Sequence, residues 1–115
     1  ALGNVTNIGI GELKNHQNDG TLIIDVRELN EIAETGVLPG GINIPLGDLT
    51  KALSKTPEDF ESTYGRKKPA KDSDIVFSCR SGKRSAQACN KALELGFNRV
   101  LNFQGGWLEW EKEIK

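Results

Sequence analysis

The fold of this chain is decided between residues 74 and 85, which read DIVFSCRSGKRS. Residues 74–78 are a mostly apolar segment rich in strand-forming side chains, and residues 85–95 have the pattern of a helix that Gly96 ends. Cys79 stands between these two elements, at the start of a short cationic loop. The stretch therefore predicts a strand–loop–helix unit with a cysteine at the carboxyl end of a buried strand.

The loop that follows Cys79 is predicted to attract an anion. Free N–H groups and the helix dipole give a helix N-terminus partial positive charge, and Arg80, Lys83 and Arg84 add full charges. Gly82 allows a tight curl in which successive amides point inward. Because each of these features favours a thiolate, we expect the pKa of Cys79 to be depressed and its sulfur to be nucleophilic at neutral pH.

The simpler interpretation is that Cys79 is a buried, unreactive cysteine, which is common for a free thiol. It leaves the three cations, the glycine and the helix start unexplained, so we prefer the functional interpretation. Cys89 differs, because it shares one face of the predicted helix with Ala86 and Leu93. We expect Cys89 to be a small core residue rather than a second cysteine that reacts with Cys79.

Apolar strand-like segments alternate with helical ones along the chain. The pattern predicts a single α/β domain with a mostly parallel five-stranded sheet and helices on both faces. Ligands bind outside the carboxyl ends of the strands in such sheets, and both Cys79 and Arg27 follow predicted strands. Strands are predicted at residues 5–8, 22–26, 42–44, 74–78 and 99–103, and helices near residues 11–18, 28–35, 46–55, 57–64, 85–95 and 107–113.

Asp25 interrupts the apolar run at residues 22–26. A carboxylate in a covered strand needs partners, so we expect Asp25 to accept hydrogen bonds from backbone amides or from a cation. Arg27 forms either a structural salt bridge or part of the substrate site. Trp107 follows a Gly-Gly turn and is expected to line the pocket, whereas Trp110 is expected to pack in the core.

The composition limits the class of protein. A chain of 115 residues with 37% hydrophobic and 27% charged residues fits one globular domain. Its 15 basic and 16 acidic residues create no overall field that would attract nucleic acid or an anionic membrane. No apolar run approaches the roughly 20 residues that cross a bilayer. We therefore predict a protein that binds neither nucleic acid nor membrane, and we expect it to be a monomer.

The cysteines and the N-terminus bear on location and cofactors. Two cysteines do not make a disulfide framework, and a working thiolate suits a reducing compartment. Residues 1–4 have neither the basic start nor the apolar stretch of a signal peptide. These features predict a cytoplasmic protein, with mitochondria as the alternative and a removed targeting segment left open. His16, the single histidine, has no partner at a metal-binding spacing, so no metal is predicted.

Four blocks of sequence resemble the rhodanese (sulfurtransferase) family. They are DVRE at residues 25–28, GVLPGGINIP at residues 36–45, the loop CRSGKR at residues 79–84 and GGWLEW at residues 105–110. The blocks follow the family order and support a domain core from about residue 8 to residue 110, within a single domain at residues 1–115. Residues 57–69 are also similar to small single-domain thiosulfate sulfurtransferases. Val37 and Ile32 replace the family's usual His and aromatic residue, which we interpret as packing changes.

The resemblance implies a rhodanese fold and a transfer of sulfane sulfur without a cofactor. Cys79 would take sulfur from thiosulfate as a persulfide and pass it to glutathione, a thioredoxin-like thiol or cyanide. Two half-reactions on one covalent intermediate imply ping-pong kinetics. The residues expected to bind the donor and the persulfide are Arg80, Ser81, Gly82, Lys83, Arg84 and Ser85, with Asp25, Arg27 and Trp107 in support.

Cysteine phosphatases and arsenate reductases are the rival enzyme class, since they also hold an anion in a cysteine loop at a helix start. Their loops place five residues between Cys and Arg, whereas four separate Cys79 from Arg84 here. The shorter loop suits a single sulfur better than a phosphoryl group. A cysteine protease is disfavoured because nothing links His16 to Cys79. A rhodanese-like module that binds a partner without turnover stays open.

Overall fold

The computed structural model describes residues 4–114 of the chain. The outer limits predicted for the domain and most of the segment examined for a signal peptide therefore lie outside the described residues. The strands are β1 (Thr6–Ile8), β2 (Leu22–Asp25), β3 (Gly41–Asn43), β4 (Asp74–Ser78) and β5 (Arg99–Phe103). The helices are α1 (Ile10–Asp19), α2 (Leu29–Thr35), α3 (Leu49–Leu53), α4 (Pro57–Tyr64), α5 (Lys83–Glu94) and α6 (Gly106–Ile114).

The five strands form one sheet in the order β1-β5-β4-β2-β3, and all neighbouring pairs in the described sheet are parallel. The register pairs Asp25 with Ser78, the last residues of β2 and β4. The pairing continues beyond the strands, because the Val26 N–H donates to the Ser78 carbonyl oxygen at 2.8 Å. The predicted sheet is confirmed, and its register brings Cys79 and Arg27 to the same edge.

Helices cover both faces of the sheet, as predicted. Alternate residues of β2 and β4 enter different clusters: Ile24 and Phe77 face the cluster covered by α3, α4 and α5, whereas Ile23 and Val76 face the cluster of α1 and α6. Trp110 is half-buried against the second cluster. Both faces are therefore buried, which explains the continuous apolar runs of these strands. No helix in the described part of the chain is long and apolar enough to cross a membrane.

Two helix predictions differ from the structure. Helix α5 begins at Lys83, two residues before the predicted start, because Gly82 adopts a left-handed conformation (φ 92°) and caps the helix. The single helix predicted at residues 46–55 is divided into a 3₁₀ turn, Leu46–Asp48, and the short helix α3. The Asp48 N–H closes that turn on the Pro45 carbonyl oxygen at 2.8 Å. Lys83 and Arg84 thus belong to the first helical turn rather than to the loop.

Phe60→Ala tests the core that supports the sheet from α4. Phe60 is buried in the first cluster and its ring lies 4.8 Å from that of Tyr64. We expect its truncation to lower the free energy of unfolding by about 3–5 kcal/mol, because it removes apolar burial and leaves a cavity. Urea unfolding followed by circular dichroism measures the change. Leu29→Ala is the control, since Leu29 is 72% exposed and its truncation should cost less than about 0.5 kcal/mol; equal losses would contradict the assignment.

Candidate active site

The sulfur of Cys79 lies inside the curl of the loop between β4 and α5. The Gly82 N–H donates to Cys79 Sγ at 3.0 Å, and the Ser85 hydroxyl oxygen lies 3.4 Å from the same sulfur. Cys79 itself is only 1% exposed. Gly82 is the N-cap of α5, so the Ser85 hydroxyl is not used to cap the helix and instead contacts the sulfur.

Hydrogen bonds are the largest influences that favour the ionised form of this thiol. Burial by itself raises the pKa of Cys79, but hydrogen bonds from the Ser85 hydroxyl and from the backbone amides of Ser85, Ser81 and Gly82 lower it, and the net pKa is below the ordinary value. The predicted direction is confirmed. The cause is corrected in one respect, because the donors are fixed dipoles of the loop and helix start, while Arg80 and Lys83 are exposed.

Gly82 is required by the geometry of the loop. Its backbone is left-handed, and a Cβ at this position would collide with the carbonyl oxygen of Gln104. A larger residue would therefore displace the amide that touches the sulfur. The sequence predicted this role from the need for a tight curl, but Gln104 approaches from the turn after β5, and this contact is visible only in the fold.

The start of α6 holds the loop from the other side. The backbone N–H of Trp107 donates to the Cys79 carbonyl oxygen at 2.8 Å, and that of Leu108 donates to the Arg80 carbonyl oxygen at 3.2 Å. Gly106 is left-handed (φ 59°), and a Cβ there would collide with both loop carbonyl groups. The GGW segment therefore does more than turn the chain, since it fixes the carbonyl side of the loop.

Asp25 and Arg27 form a buried ion pair below the loop, with the two residues 1% and 2% exposed. The Arg27 Nη2 donates to Asp25 Oδ2 at 2.7 Å, its Nε contacts both carboxylate oxygens at 3.0 Å, and its backbone N–H donates to Oδ1 at 3.0 Å. Asp25 therefore accepts from an amide and a cation, as expected.

The remaining contacts of Arg27 connect three parts of the fold. Its guanidinium donates to the Thr35 hydroxyl at 3.0 Å and to the Gly36 carbonyl oxygen at 3.1 Å, at the end of α2. Its Cζ lies 5.0 Å from the centre of the Trp107 ring. Of the two interpretations of Arg27, the structural salt bridge agrees with these contacts. The backbone amide of Trp107 contacts the loop, and its ring stacks on the Arg27 guanidinium.

Arg84 is engaged in an ion pair that the sequence did not predict. Its two terminal nitrogens donate to the two carboxylate oxygens of Glu31 in α2, at 2.6 and 2.9 Å. The Arg84 hydrogen bond is the largest influence on Glu31 and lowers its pKa to about 2. The pKa of Arg84 is raised chiefly by Glu31, and the charge of Cys79 adds to the rise. Arg84 therefore forms a salt bridge that connects the start of α5 to α2.

Two asparagines with structural hydrogen bonds were missed in the sequence: Asn102 is buried and Asn43 is half-buried. Asn43 donates through Nδ2 to the carbonyl oxygens of Asp25 and Arg27, both at 2.9 Å. Asn102 in β5 accepts a hydrogen bond from Ser85 at 2.5 Å. The signal was the same one that drew attention to Asp25, a polar residue within a predicted apolar strand.

Other predicted features lie away from the loop. Cys89 is buried, and burial raises its pKa to about 12, which agrees with a core residue. Three consecutive basic residues, at positions 66–68, line a groove of about 810 Å³ that also includes the strand residues Leu22, Asp74 and Arg99. These strand residues begin their strands, so the groove lies at the opposite end of the sheet from Cys79. Within residues 4–114, no group of three or more His, Cys, Asp or Glu side chains is arranged to hold a metal ion.

The fold and this loop define a rhodanese-type α/β domain with a cysteine whose sulfur accepts a hydrogen bond from a backbone amide. A family model described as a rhodanese-like domain matches residues 10–113. The chain therefore belongs to the rhodanese-like family.

Similar proteins extend the comparison. Mouse thiosulfate sulfurtransferase/rhodanese-like domain-containing protein 3 is 46% identical over 100 residues, which cover 86% of this chain and 64% of the mouse protein. Human thiosulfate:glutathione sulfurtransferase is 41% identical over 93 residues, which cover 79% of this chain and 80% of the human protein. A solved structure of a human single-domain sulfurtransferase has a TM-score of 0.85 and 34% identity, and the match covers 93% of this chain and 96% of that one.

This geometry predicts that the pKa values of the two thiols are shifted in opposite directions, downward for Cys79 and upward for Cys89. In a Cys89→Ser variant, we expect the thiolate absorbance of Cys79 in the ultraviolet to appear at lower pH in the folded protein than in urea. In a Cys79→Ser variant, the Cys89 thiolate should appear only near pH 12. Since the folded pKa of Cys79 is depressed, its thiolate adds stability above the unfolded pKa, and this contribution is lost as pH falls through the folded pKa. A folded midpoint at or above the one in urea would contradict the role of the loop amides.

Proposed function

We propose that the protein is a sulfurtransferase that carries sulfane sulfur as a persulfide on Cys79. The observation that carries the proposal is the size and polarity of the loop: the amide of Gly82 lies 3.0 Å from the cysteine sulfur, and the amides of Ser81 and Ser85 help to lower the pKa of the thiol. This ring of donors is matched to a small anionic sulfur species. The names of the mouse and human relatives, which include thiosulfate sulfurtransferase and thiosulfate:glutathione sulfurtransferase, support the same reaction class.

The first half-reaction loads the sulfur. The thiolate of Cys79 attacks the outer sulfur of thiosulfate, and a new S–S bond forms as the bond to the sulfonate sulfur breaks. The electron pair of the broken bond leaves with sulfite. The persulfide that results is anionic, and hydrogen bonds from the loop amides stabilise its charge.

The second half-reaction returns the enzyme to its starting state. An acceptor thiolate, such as that of glutathione or a thioredoxin-like protein, attacks the outer sulfur of the persulfide, and the electron pair of the persulfide bond returns to Cys79. Cyanide accepts the sulfur in the same way. Because sulfite leaves before the acceptor reacts, the kinetics are ping-pong. A single-domain monomer in the cytoplasm or mitochondria remains the prediction for its state and location.

The residues around the sulfur divide into two roles in this proposal. Arg80 and Lys83, whose side chains are exposed beside the loop, attract the dianionic donor and stabilise the departing sulfite. Arg84 contributes less charge, since Glu31 holds its guanidinium at 2.6 and 2.9 Å. The residues proposed to fix the loop rather than to touch the donor are Asp25, Arg27 and Trp107.

Sulfur loading distinguishes the two cysteines. Intact mass spectrometry after treatment with thiosulfate should show a gain of one sulfur atom in the wild-type protein and in Cys89→Ser, and cyanide should remove it. Cys79→Ser should gain none, because it lacks the thiolate, and should retain the wild-type circular dichroism spectrum. Equal loss of loading in both folded variants would contradict the structural role of Cys89.

The same samples test the rival reaction class. If no variant loads sulfur and the wild-type protein hydrolyses an aryl phosphate, the loop length has been misinterpreted and a phosphatase is the better assignment. If neither reaction occurs, the chain is a binding module of the rhodanese-like family. Only sulfur loading at Cys79 followed by its transfer supports the proposal.

Charge substitutions test donor binding. We expect Arg80→Ala and Lys83→Ala each to raise the KM for thiosulfate by about fivefold at low salt, because each removes a nearby unit charge, and the difference should shrink as salt screens it. Lys67→Ala is the matched control, an exposed lysine at the opposite end of the sheet. Steady-state assays over a range of ionic strength measure the effect. An unchanged KM in both loop variants would remove these residues from the donor site.

A further inference from the structure

A buried asparagine connects the sulfur-binding loop to the sheet. Asn102 lies in β5, is 3% exposed, and pairs in register with Phe77 of β4. Its side chain accepts a hydrogen bond from the Ser85 hydroxyl at 2.5 Å and donates to the Gly82 carbonyl oxygen at 3.3 Å. Both partners belong to the loop and helix start that surround Cys79. Neither the family resemblance nor the sequence pattern assigns this residue a role.

The orientation of the Asn102 amide is determined by its neighbours. The Gly82 carbonyl oxygen can only accept hydrogen bonds, so the NH₂ group of Asn102 must face it. The same NH₂ group donates to the Oδ1 of Asn7 at 3.0 Å. With both of its N–H donors engaged, Asn102 presents only its oxygen to Ser85. The Ser85 hydroxyl therefore donates its single proton to Asn102 in this arrangement.

The hydrogen bond from Ser85 to Asn102 determines what the Ser85 hydroxyl can offer to the sulfur of Cys79. A hydroxyl that donates to Asn102 presents lone pairs to Cys79 Sγ at 3.4 Å, and these lone pairs suit the S–H of a neutral thiol. Once the thiol proton is lost to solvent, the same lone pairs face a negative charge. The hydroxyl stabilises that charge when it rotates and donates to the sulfur, and it then gives up its bond to Asn102.

We propose that Asn102 is a positioning residue that holds the Ser85 hydroxyl beside the Cys79 sulfur and acts as its resting acceptor until the sulfur becomes anionic. Asn102 does not touch the sulfur and acts through Ser85. For the persulfide the inference rests on the proposed function, but the thiolate state can be tested whether or not sulfur is transferred. In both states the anion on Cys79 competes with the oxygen of Asn102 for one proton.

Asn102→Asp strengthens the competing acceptor at nearly constant volume. A carboxylate holds the Ser85 proton more firmly than an amide oxygen does, so the Cys79 thiolate should form at higher pH. We expect the midpoint of its ultraviolet absorbance, measured in the Cys89→Ser protein, to rise by about one pH unit, a tenfold change in ionisation equilibrium. Asn98→Asp adds the same charge at an exposed position just before β5 and should leave the midpoint unchanged.

A double substitution separates the hydroxyl from the charge of the new carboxylate. In a Ser85→Ala background, the further shift caused by Asn102→Asp should fall to less than half, because there is no proton left to hold. A shift of undiminished size would show that the carboxylate acts through space alone, and this result would overturn the proposal. A folded Asn102→Asp protein with the wild-type midpoint would overturn it as well, since a purely structural role predicts lower stability without a pH effect.

A measurement on Asn102 itself covers the case in which Asn102→Asp does not fold. In the Cys89→Ser protein, NMR signals of the Asn102 side-chain NH₂ should shift with pH at the same midpoint as the Cys79 thiolate absorbance, and those of Asn98 should not. Asn102 signals that stay constant through that midpoint would overturn the proposal. Because none of these readouts requires sulfur transfer, a failure of the proposed function would show separately, as absent sulfur loading with an intact thiolate titration.

Discussion

The buried ion pair between Asp25 and Arg27 is the contact on which the carboxyl edge of the sheet depends. Two charges less than 3 Å apart inside a protein lose their hydration, and such a pair persists only when further hydrogen bonds satisfy each partner. Here the backbone N–H of Arg27, just beyond β2, donates one bond to Asp25, and the end of α2 supplies acceptors for Arg27. Because the guanidinium also stacks on Trp107, whose amide binds the Cys79 carbonyl group, the ion pair connects the sheet to the loop.

The loop favours the Cys79 thiolate mainly through hydrogen bonds, and its backbone N–H dipoles are held in fixed positions. Amides of Ser81, Gly82 and Ser85 are fixed by the helix start, whereas Arg80 and Lys83 extend into solvent, where water and salt weaken their influence. Cations in the first turn of a helix also oppose its dipole, so α5 begins with a local conflict. Glu31 relieves part of it by pairing with Arg84. Such conflicts are expected where a sequence serves function rather than stability.

The sequence predicted what depends on local pattern. Apolar runs with a known period predicted the strands, and the parallel sheet followed from their alternation with helices. Cys79 and Gly82 could be assigned because their roles depend on neighbours within a few residues. Asp25 could be recognised as needing partners, since a carboxylate within an apolar strand is conspicuous.

What the sequence did not predict depends on register between distant elements. The pair of Arg84 with Glu31 joins residues 53 positions apart, and the bond between Ser85 and Asn102 spans 17. Periodicity indicates that such side chains are polar or buried, but not which partner they meet. The two thiols show the same limit: burial raises the pKa of Cys89, and it would do the same to Cys79 without the donors that the fold brings to it. The lowered pKa of Cys79 therefore depends on hydrogen-bond geometry, and that geometry exists only once β4, β5 and the start of α6 have come together.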